Sequence, residues 1–249
     1  MHGTDDLVRV LRRLKLSGLL QTLELRTQQA VEDNLDHGEF LFRVLNDEIE
    51  RRDGKKLQER LARAGFEHNR TLEVFNWLFN PMVPKSRVID LATCHFVDRH
   101  ENILFIGPAG VGKSHLAQAL GHRAVRRGHE VVFITAPRLF GELRAARGDG
   151  SYERKLSRFV EVDLLIIDDL GLMPLRGDEP ADLYELIRLR YERRAIIITS
   201  NRSAGEWAAV FGDPLLASAA VDRLRHHAHI IEIEGPSYRD PKAHVVPRA

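Results

Sequence analysis

Cysteine occurs once in the 249 residues, at Cys94, which excludes an intramolecular disulfide and a thiolate metal cluster. No motif surrounds Cys94, so it reads as a small buried hydrophobe and not as a nucleophile. Long apolar runs are also missing. The longest are about five residues, Ala195 to Thr199 among them, against the roughly 20 that a membrane span requires. Met1-His2-Gly3-Thr4-Asp5-Asp6 shows no basic stretch leading into an apolar one, so no secretory signal is expected. These absences give a cytoplasmic expectation with no membrane contact. Charge of one sign is scarce too: 37 Lys and Arg against 36 Asp and Glu leave a net +1. Bulk charge therefore does not advertise a polyanionic partner, although a local basic stripe can sit inside a balanced total.

What is present falls into two textures. Hydrophobic residues at 43% and charged residues at 29% describe a folded chain, and the length suits one α/β domain with a small appendage. Residues 1 to about 80 read as helical. Leu7, Leu11 and Leu14 share a face, Leu19, Leu20 and Leu23 follow Gly18, and Phe40, Leu41, Val44, Leu45 and Ile49 mark a second amphipathic helix. Gly54 then punctuates, and Leu57, Leu61 and Ala64 form a third stretch that Gly65 stops. Three short helices make a contact module, and Pro81 and Pro84 mark a linker. The expected boundary is therefore 1–80 against 81–249.

Beyond residue 100, apolar runs alternate with amphipathic stretches: Asn102–Ile106, Glu130–Thr135, Asp163–Ile167, Ala195–Ser200 and His229–Ile233. Runs of this length, rich in Ile, Val and Leu, are strands buried on both faces, and helices between them give βαβ units on a parallel sheet.

Three motifs sit at strand ends. Gly107-Pro108-Ala109-Gly110-Val111-Gly112-Lys113-Ser114 fills every fixed position of a phosphate-binding loop between a strand and a helix. Its glycines let backbone N–H groups face phosphate oxygens, Lys113 reaches the β- and γ-phosphates, and the Ser114 hydroxyl suits Mg²⁺. His115 follows directly and is counted with the nucleotide-binding residues. About 50 residues on, Leu164-Leu-Ile-Ile-Asp168-Asp169 delivers two carboxylates at a strand's C-terminal end, the edge where α/β sheets bind ligands. Asp168 suits Mg²⁺ and Asp169 suits orienting or deprotonating a water. Thr199-Ser200-Asn201 ends a third strand with an amide that can reach a γ-phosphate or lytic water, or serve as an ordinary turn residue.

In this order and spacing the three motifs resemble Walker A, Walker B and sensor I of the AAA+ ATPases. Leu14-Lys-Leu-Ser-Gly-Leu19, Asp168-Asp-Leu-Gly-Leu172, Thr199-Ser-Asn201, Ala220-Val-Asp-Arg-Leu224 and Gly235-Pro-Ser-Tyr-Arg239 narrow the resemblance to the IstB-type transposition helper ATPases, relatives of the DnaC helicase loaders. The resemblance implies a P-loop three-layer α/β/α core preceded by a helical interaction domain. It implies an ATPase using ATP and Mg²⁺ that assembles as a homo-oligomer on double-stranded DNA and recruits a transposase. A DnaC-like replicative helicase loader is the alternative. Arg223 falls where the family places its arginine finger, and Arg239 where a sensor arginine is expected. The loop departs from the commoner Pro-Pro-Gly-Thr, and Asp169 stands where AAA+ proteins commonly carry glutamate, which implies slow hydrolysis. Only 16 residues follow Ile233, so no C-terminal lid domain is expected.

Two clusters stay open. Arg138, Arg144, Arg147, Arg154, Lys155 and Arg158 read either as a solvated helical face or as a stripe tracking DNA phosphates. His226, His227 and His229 read as helix-end histidines, since no acid or cysteine completes a ligand spacing with them.

Overall fold

The computed structural model describes residues 4–240; residues 1–3 and 241–249, which belong to the two expected domains, lie outside the described residues. The elements run α1 (Thr4–Arg13), α2 (Ser17–Glu32), α3 (His37–Ala64), α4 (Lys85–Leu91), α5 (His95–Asp98), β1 (Asn102–Ile106), α6 (Lys113–Arg126), β2 (Val131–Thr135), α7 (Ala136–Gly148), α8 (Tyr152–Glu161), β3 (Leu164–Leu170), α9 (Glu179–Arg190), β4 (Ala195–Ser200), α10 (Trp207–Phe211), α11 (Pro214–Arg225) and β5 (Ala228–Glu232). No helix among the described residues is long and apolar enough to cross a membrane.

All five expected strands form, and they pair in parallel in the order β2-β3-β4-β1-β5. Each side of the pleat is covered. Leu104, Ile106, Leu165, Ile167, Ile196 and Ile198 share one core with Leu139, Phe159, Leu183, Leu186 and Leu224 of the helices on that side. The alternate strand residues Ile103, Phe105, Leu164, Ile166 and Ile197 are equally buried, and α6 packs against β1, β2, β3 and β4. This is the α/β/α arrangement expected of continuous apolar runs. Cys94 is fully buried, and burial pushes its thiol up to about 11.

One buried arginine organises the sheet's amino edge. Arg190, with no exposed surface, donates to the carbonyls of Phe159, Val160, Val162, Asp163 and Ala195. Those carbonyls lie at the end of α8 and the starts of β3 and β4, and the guanidinium supplies each with a donor.

The chain divides into two units at Glu59/Arg60, whereas the prolines placed the boundary near residue 80. The reason lies in the last turns of α3 and the residues just after it. Arg60 and Arg63 pair with Glu130, and Phe66 stacks on His122 of α6 at 4.1 Å between ring centroids. The first unit also partitions differently from its periodicity. Gly54 does not end a helix; α3 runs 28 residues straight through it. A lone glycine in a helix interior costs only about 1 kcal/mol relative to alanine, and nothing here collects the chain into a turn. Residues 65–80, within the stretch read as helical, are loop and turn, continuous with the linker expected at Pro81 and Pro84.

Leu11, Leu19 and Val44 form this unit's small core, with Leu16, Leu20, Leu23 and Phe40 against it. Leu7 and Leu14 are exposed instead of sharing the face of Leu11. The N-terminus of α2 has no side-chain cap of its own. Glu48 of α3 supplies one from 30 residues away: its carboxylate accepts from Gly18 N–H at 2.5 Å and Leu19 N–H at 3.3 Å. The guanidinium groups of Arg51 and Arg52 reach the other oxygen at 2.9 and 2.6 Å. Together they hold the Glu48 carboxyl down at about 2, against an ordinary 4.5. A depressed carboxyl stabilises the fold fully above its unfolded value and loses that contribution as pH falls through the folded one. Helicity should therefore decline between about pH 4.5 and about pH 2, and Glu48→Gln should lower the melting midpoint at neutral pH and flatten that acid limb. Circular dichroism melts across this range check it, and parallel acid limbs in both proteins would move the sensitivity to other carboxylates.

Candidate functional site

Strand order brings the three motifs together. β4 lies between β1 and β3, so the loop after β1, the carboxylates of β3 and the amide after β4 emerge side by side at the C-terminal edge. The pairing is regular up to Ile167↔Ile198 and then slips, with Leu170 opposite Ser200. That bulge falls on Asp168 and Asp169. Asp169 takes a left-handed φ of 58°, and bulges of this kind re-aim side chains. One carboxylate is turned inward and the other outward: Asp168 is 3% exposed, while Asp169 lines an open cavity.

Thr199 holds this bulge. Its hydroxyl donates to Asp168 Oδ1 at 2.5 Å and accepts from the Asp169 N–H at 2.9 Å. Burial pushes the Asp168 carboxyl upward, opposed by hydrogen bonds from Thr199 and Ser114. Thr199→Val keeps the shape but strands a buried carboxylate and a backbone N–H, at about 1–3 kcal/mol. Urea denaturation should show that loss, and Thr199→Ser should restore most of it. Equal stability of the valine protein would remove the clamp role.

The loop wraps tightly enough to require its glycines. A Cβ on Gly107 would lie 2.0 Å from the Ile233 carbonyl oxygen, and one on Gly110 (φ 83°) 1.9 Å from Ser237 Oγ. Lys113, first residue of α6, sends Nζ to Gly107 O, Pro108 O and Asn201 Oδ1, each at 2.7 Å. Burial lowers the Lys113 pKa, while Asp169 and Asp168 raise it and Arg239 lowers it further. The ammonium and the Asn201 amide are thus in contact, with both carboxylates near enough to favour the ammonium's charge.

The cavity at this edge has a volume of about 350 Å³. Ala109, Gly110, Val111, Gly112, Lys113, Ser114, His115, Asp169, Asn201 and Arg239 line it. Gly107 and Pro108 contribute through the carbonyls that hold Lys113, and Asp168 lies behind Ser114 and Thr199. His115 reaches the wall, but its ring is engaged elsewhere: Nε2 lies 2.9 Å from Thr71 O, and the ring stands edge-on to Phe75. Arg223 is not among the lining residues. Its Nη1 donates to Ala219 O at 2.9 Å and its guanidinium lies 5.4 Å from the Tyr184 ring centre.

The opposite wall escaped the sequence reading. Phe75, Phe79 and Tyr238 line the cavity with Arg70 and Asn80. Phe79 and Tyr238 meet edge to face at 4.8 Å, Tyr238 N–H donates to Gly110 O at 2.9 Å, and Asn80 Nδ2 donates to Glu234 O at 2.7 Å. Segments 75–80 and 234–239 therefore close around the loop. The density of Phe75, Trp77 and Phe79 within five residues was the available signal. An aromatic wall facing a glycine-rich anion cradle suits a molecule that is flat at one end and polyanionic at the other. Asp168 with the Ser114 hydroxyl is an all-oxygen set, which fits Mg²⁺.

Residues 9–244 match the family described as IstB-like ATP binding protein. The chain belongs to that family. It is 40% identical over 227 residues to a protein named for ATP binding in insertion sequence IS5376 of Geobacillus stearothermophilus, covering 91% of this chain and 90% of the relative. It is 38% identical over 239 residues to the corresponding protein of insertion sequence IS21 of Pseudomonas aeruginosa, covering 96% and 89%. Among solved structures, the DnaC helicase loader shares the fold at a TM-score of 0.57 and 21% identity, over 66% of this chain and 97% of that one. A DNA replication initiation factor matches at a TM-score of 0.56 and 23% identity over 67% of this chain, which spans about half the length of that longer protein.

Proposed function

We propose that the chain is an ATPase of an insertion sequence, which binds ATP with Mg²⁺, assembles on double-stranded DNA and recruits the element's transposase. The observation that carries the reading is the convergence of Lys113, Asp169 and Asn201 on one cavity, with Asp168 bonded behind its Ser114 wall, in a family whose members are named for insertion sequences. In this reading the loop N–H groups and Lys113 hold the phosphates, and Ser114 and Asp168 hold Mg²⁺. Asp169 activates water, Asn201 orients it, and Phe75, Phe79 and Tyr238 hold the base. Mg²⁺ supplies charge neutralisation across the phosphates when bound. Residues 4–59 serve as the partner-contact unit, a role supported by the exposed Leu41, Leu45 and Ile49 of α3. The helicase-loader alternative is supported at 21% identity, against 40% for the insertion-sequence relative.

Four of the six residues of the basic stripe are neutralised by acids of the same chain. Arg138 and Lys155 pair with Glu142, Arg144 with Glu179, and Arg147 with Asp178 and Asp182. Arg154 and Arg158 form no salt bridge among the described residues, so they are the members of the stripe assigned to DNA phosphates. Each phosphate contact contributes about −0.9 to the log–log salt slope on duplex DNA.

The test uses Asp169→Asn with ATP, Mg²⁺ and duplex DNA. An amide cannot accept the water's proton, so turnover should fall by about 10²–10⁴ while ATP-dependent retention of DNA and of the element's transposase persists. Unchanged turnover, or DNA retention indifferent to nucleotide, would overturn the reading.

A further inference from the structure

At the opposite edge of the sheet from the phosphate loop, two turns bring together residues that the sequence keeps far apart. Glu192 lies in the turn between α9 and β4; His226 and His227 lie in the turn between α11 and β5. Each offers one ligand atom, and these atoms all lie within 4.8 Å of one another. The Glu192 carboxylate is 3.5 Å from His226 Nδ1. The spacing of the histidines alone gave no hint of this, because the completing acid is 34 residues upstream in sequence.

We propose that Glu192, His226 and His227 bind a divalent transition-metal ion, of which Zn²⁺ is the best match. Three further observations support a built site. First, adjacent residues normally point apart, yet the His226 and His227 rings lie 3.9 Å apart by centroid. His227 achieves this with a left-handed φ of 56°. Second, Glu192 on the facing turn has the same φ of 56°. Such conformations are uncommon outside glycine, cost of order 1 kcal/mol or more each, and cluster at ligand clamps. Here both fall on candidate ligands. Third, the Tyr191 hydroxyl lies 2.8 Å from His226 Nδ1, an outer hydrogen bond that fixes the ring and leaves Nε2 as the nitrogen His226 offers an ion.

The chemistry selects the ion. Two imidazoles and one carboxylate suit Zn²⁺, which then keeps a fourth position for water, and they suit Mg²⁺ or Ca²⁺ poorly because those ions prefer all-oxygen sets. Tetrahedral bonds of about 2.1 Å place ligand atoms roughly 3.4 Å apart, so atoms now within 4.8 Å of one another close by up to about 1.4 Å. All three are exposed, which leaves them free to move and leaves an entry path. His229, the third histidine of the run, is engaged separately with Glu101 at 2.8 Å.

The position gives the ion a mechanical role. β4 begins three residues after Glu192 and β5 begins directly after His227. These strands flank β1, so a bound ion clips together the amino ends of both neighbours of the strand that carries the phosphate loop.

The test titrates the untagged full chain, freed of metal with a chelator and kept without nucleotide, with Zn²⁺ against a chromophoric competitor. One Zn²⁺ per chain is expected, with a dissociation constant on the order of 10 µM or tighter. His226→Ala and His227→Ala should each weaken it at least about tenfold. Glu192→Gln should weaken it too, and His37→Ala should leave it unchanged. At a hundredfold excess over the dissociation constant, the melting midpoint should rise by roughly 5 °C, and Co²⁺ should give the visible bands of a tetrahedral site. Circular dichroism confirms that each variant is folded. Binding no tighter than about 100 µM, or equal affinity in the doubly substituted His226→Ala, His227→Ala protein, would overturn the site.

Discussion

Lys113→Ala should abolish nucleotide binding at any practical concentration. Lys113 is buried at the floor of the loop, with its three donors committed to Gly107 O, Pro108 O and Asn201 Oδ1 at 2.7 Å. Burial opposes its charge and the neighbouring Asp169 and Asp168 favour it. A polyphosphate arriving in the cavity offers stronger acceptors than two carbonyls and an amide, so the ammonium can turn to it without being newly desolvated. Charge-assisted hydrogen bonds contribute about 1.5–3 kcal/mol each, so losing two raises the dissociation constant by at least about 10². Alanine also leaves the loop carbonyls without their donor, and a melt must accompany the titration. A folded Lys113→Ala protein that binds a fluorescent ATP analogue within tenfold of wild type would show that the phosphates lie elsewhere.

The sequence carried the strands and the phosphate loop plainly, for a physical reason. A strand buried on both faces must be apolar throughout, and a loop that approaches phosphate closely needs glycine where a Cβ would collide, as at Gly107 and Gly110. Both constraints are written in consecutive residues. Helix extent was less legible, because tertiary packing overrides a single weak breaker such as Gly54. Least legible were features made by residues distant in sequence. The aromatic wall joins residue 75 to residue 238, the Thr199 clamp depends on a bulge in the neighbouring strand, and Glu48 caps a helix 30 residues before it. The arginines of α7 and α8 show the same limit. Their spacing suggests a basic stripe, but the acids of α9 that neutralise Arg144 and Arg147 lie 35 residues away.

Arg223→Ala should bind ATP normally and hydrolyse it poorly, and mixing should rescue it. Arg223 lies near the C-terminal end of α11, tied to its own helix through Ala219 O and set over Tyr184. It does not line the cavity that holds Lys113 and Asp169. If it acts on a γ-phosphate, that phosphate therefore belongs to another copy. An interface joining α11 of one chain to the cavity of the next is heterologous, and such contacts propagate into rings or helical filaments. A guanidinium supplied across an interface raises phosphoryl-transfer rates by about 10³–10⁵, so the single variant should lose most turnover while keeping its affinity. Lys113→Ala fails for the opposite reason, with an intact arginine beside a dead pocket. In an equal mixture roughly a quarter of heterologous interfaces join the intact pocket of one variant to the intact arginine of the other, so turnover should return to about that fraction of wild type. Sizing with ATP and DNA should show species well above 28.4 kDa. Specific activity that is constant with protein concentration, together with no recovery on mixing, would confine each active site to a single chain.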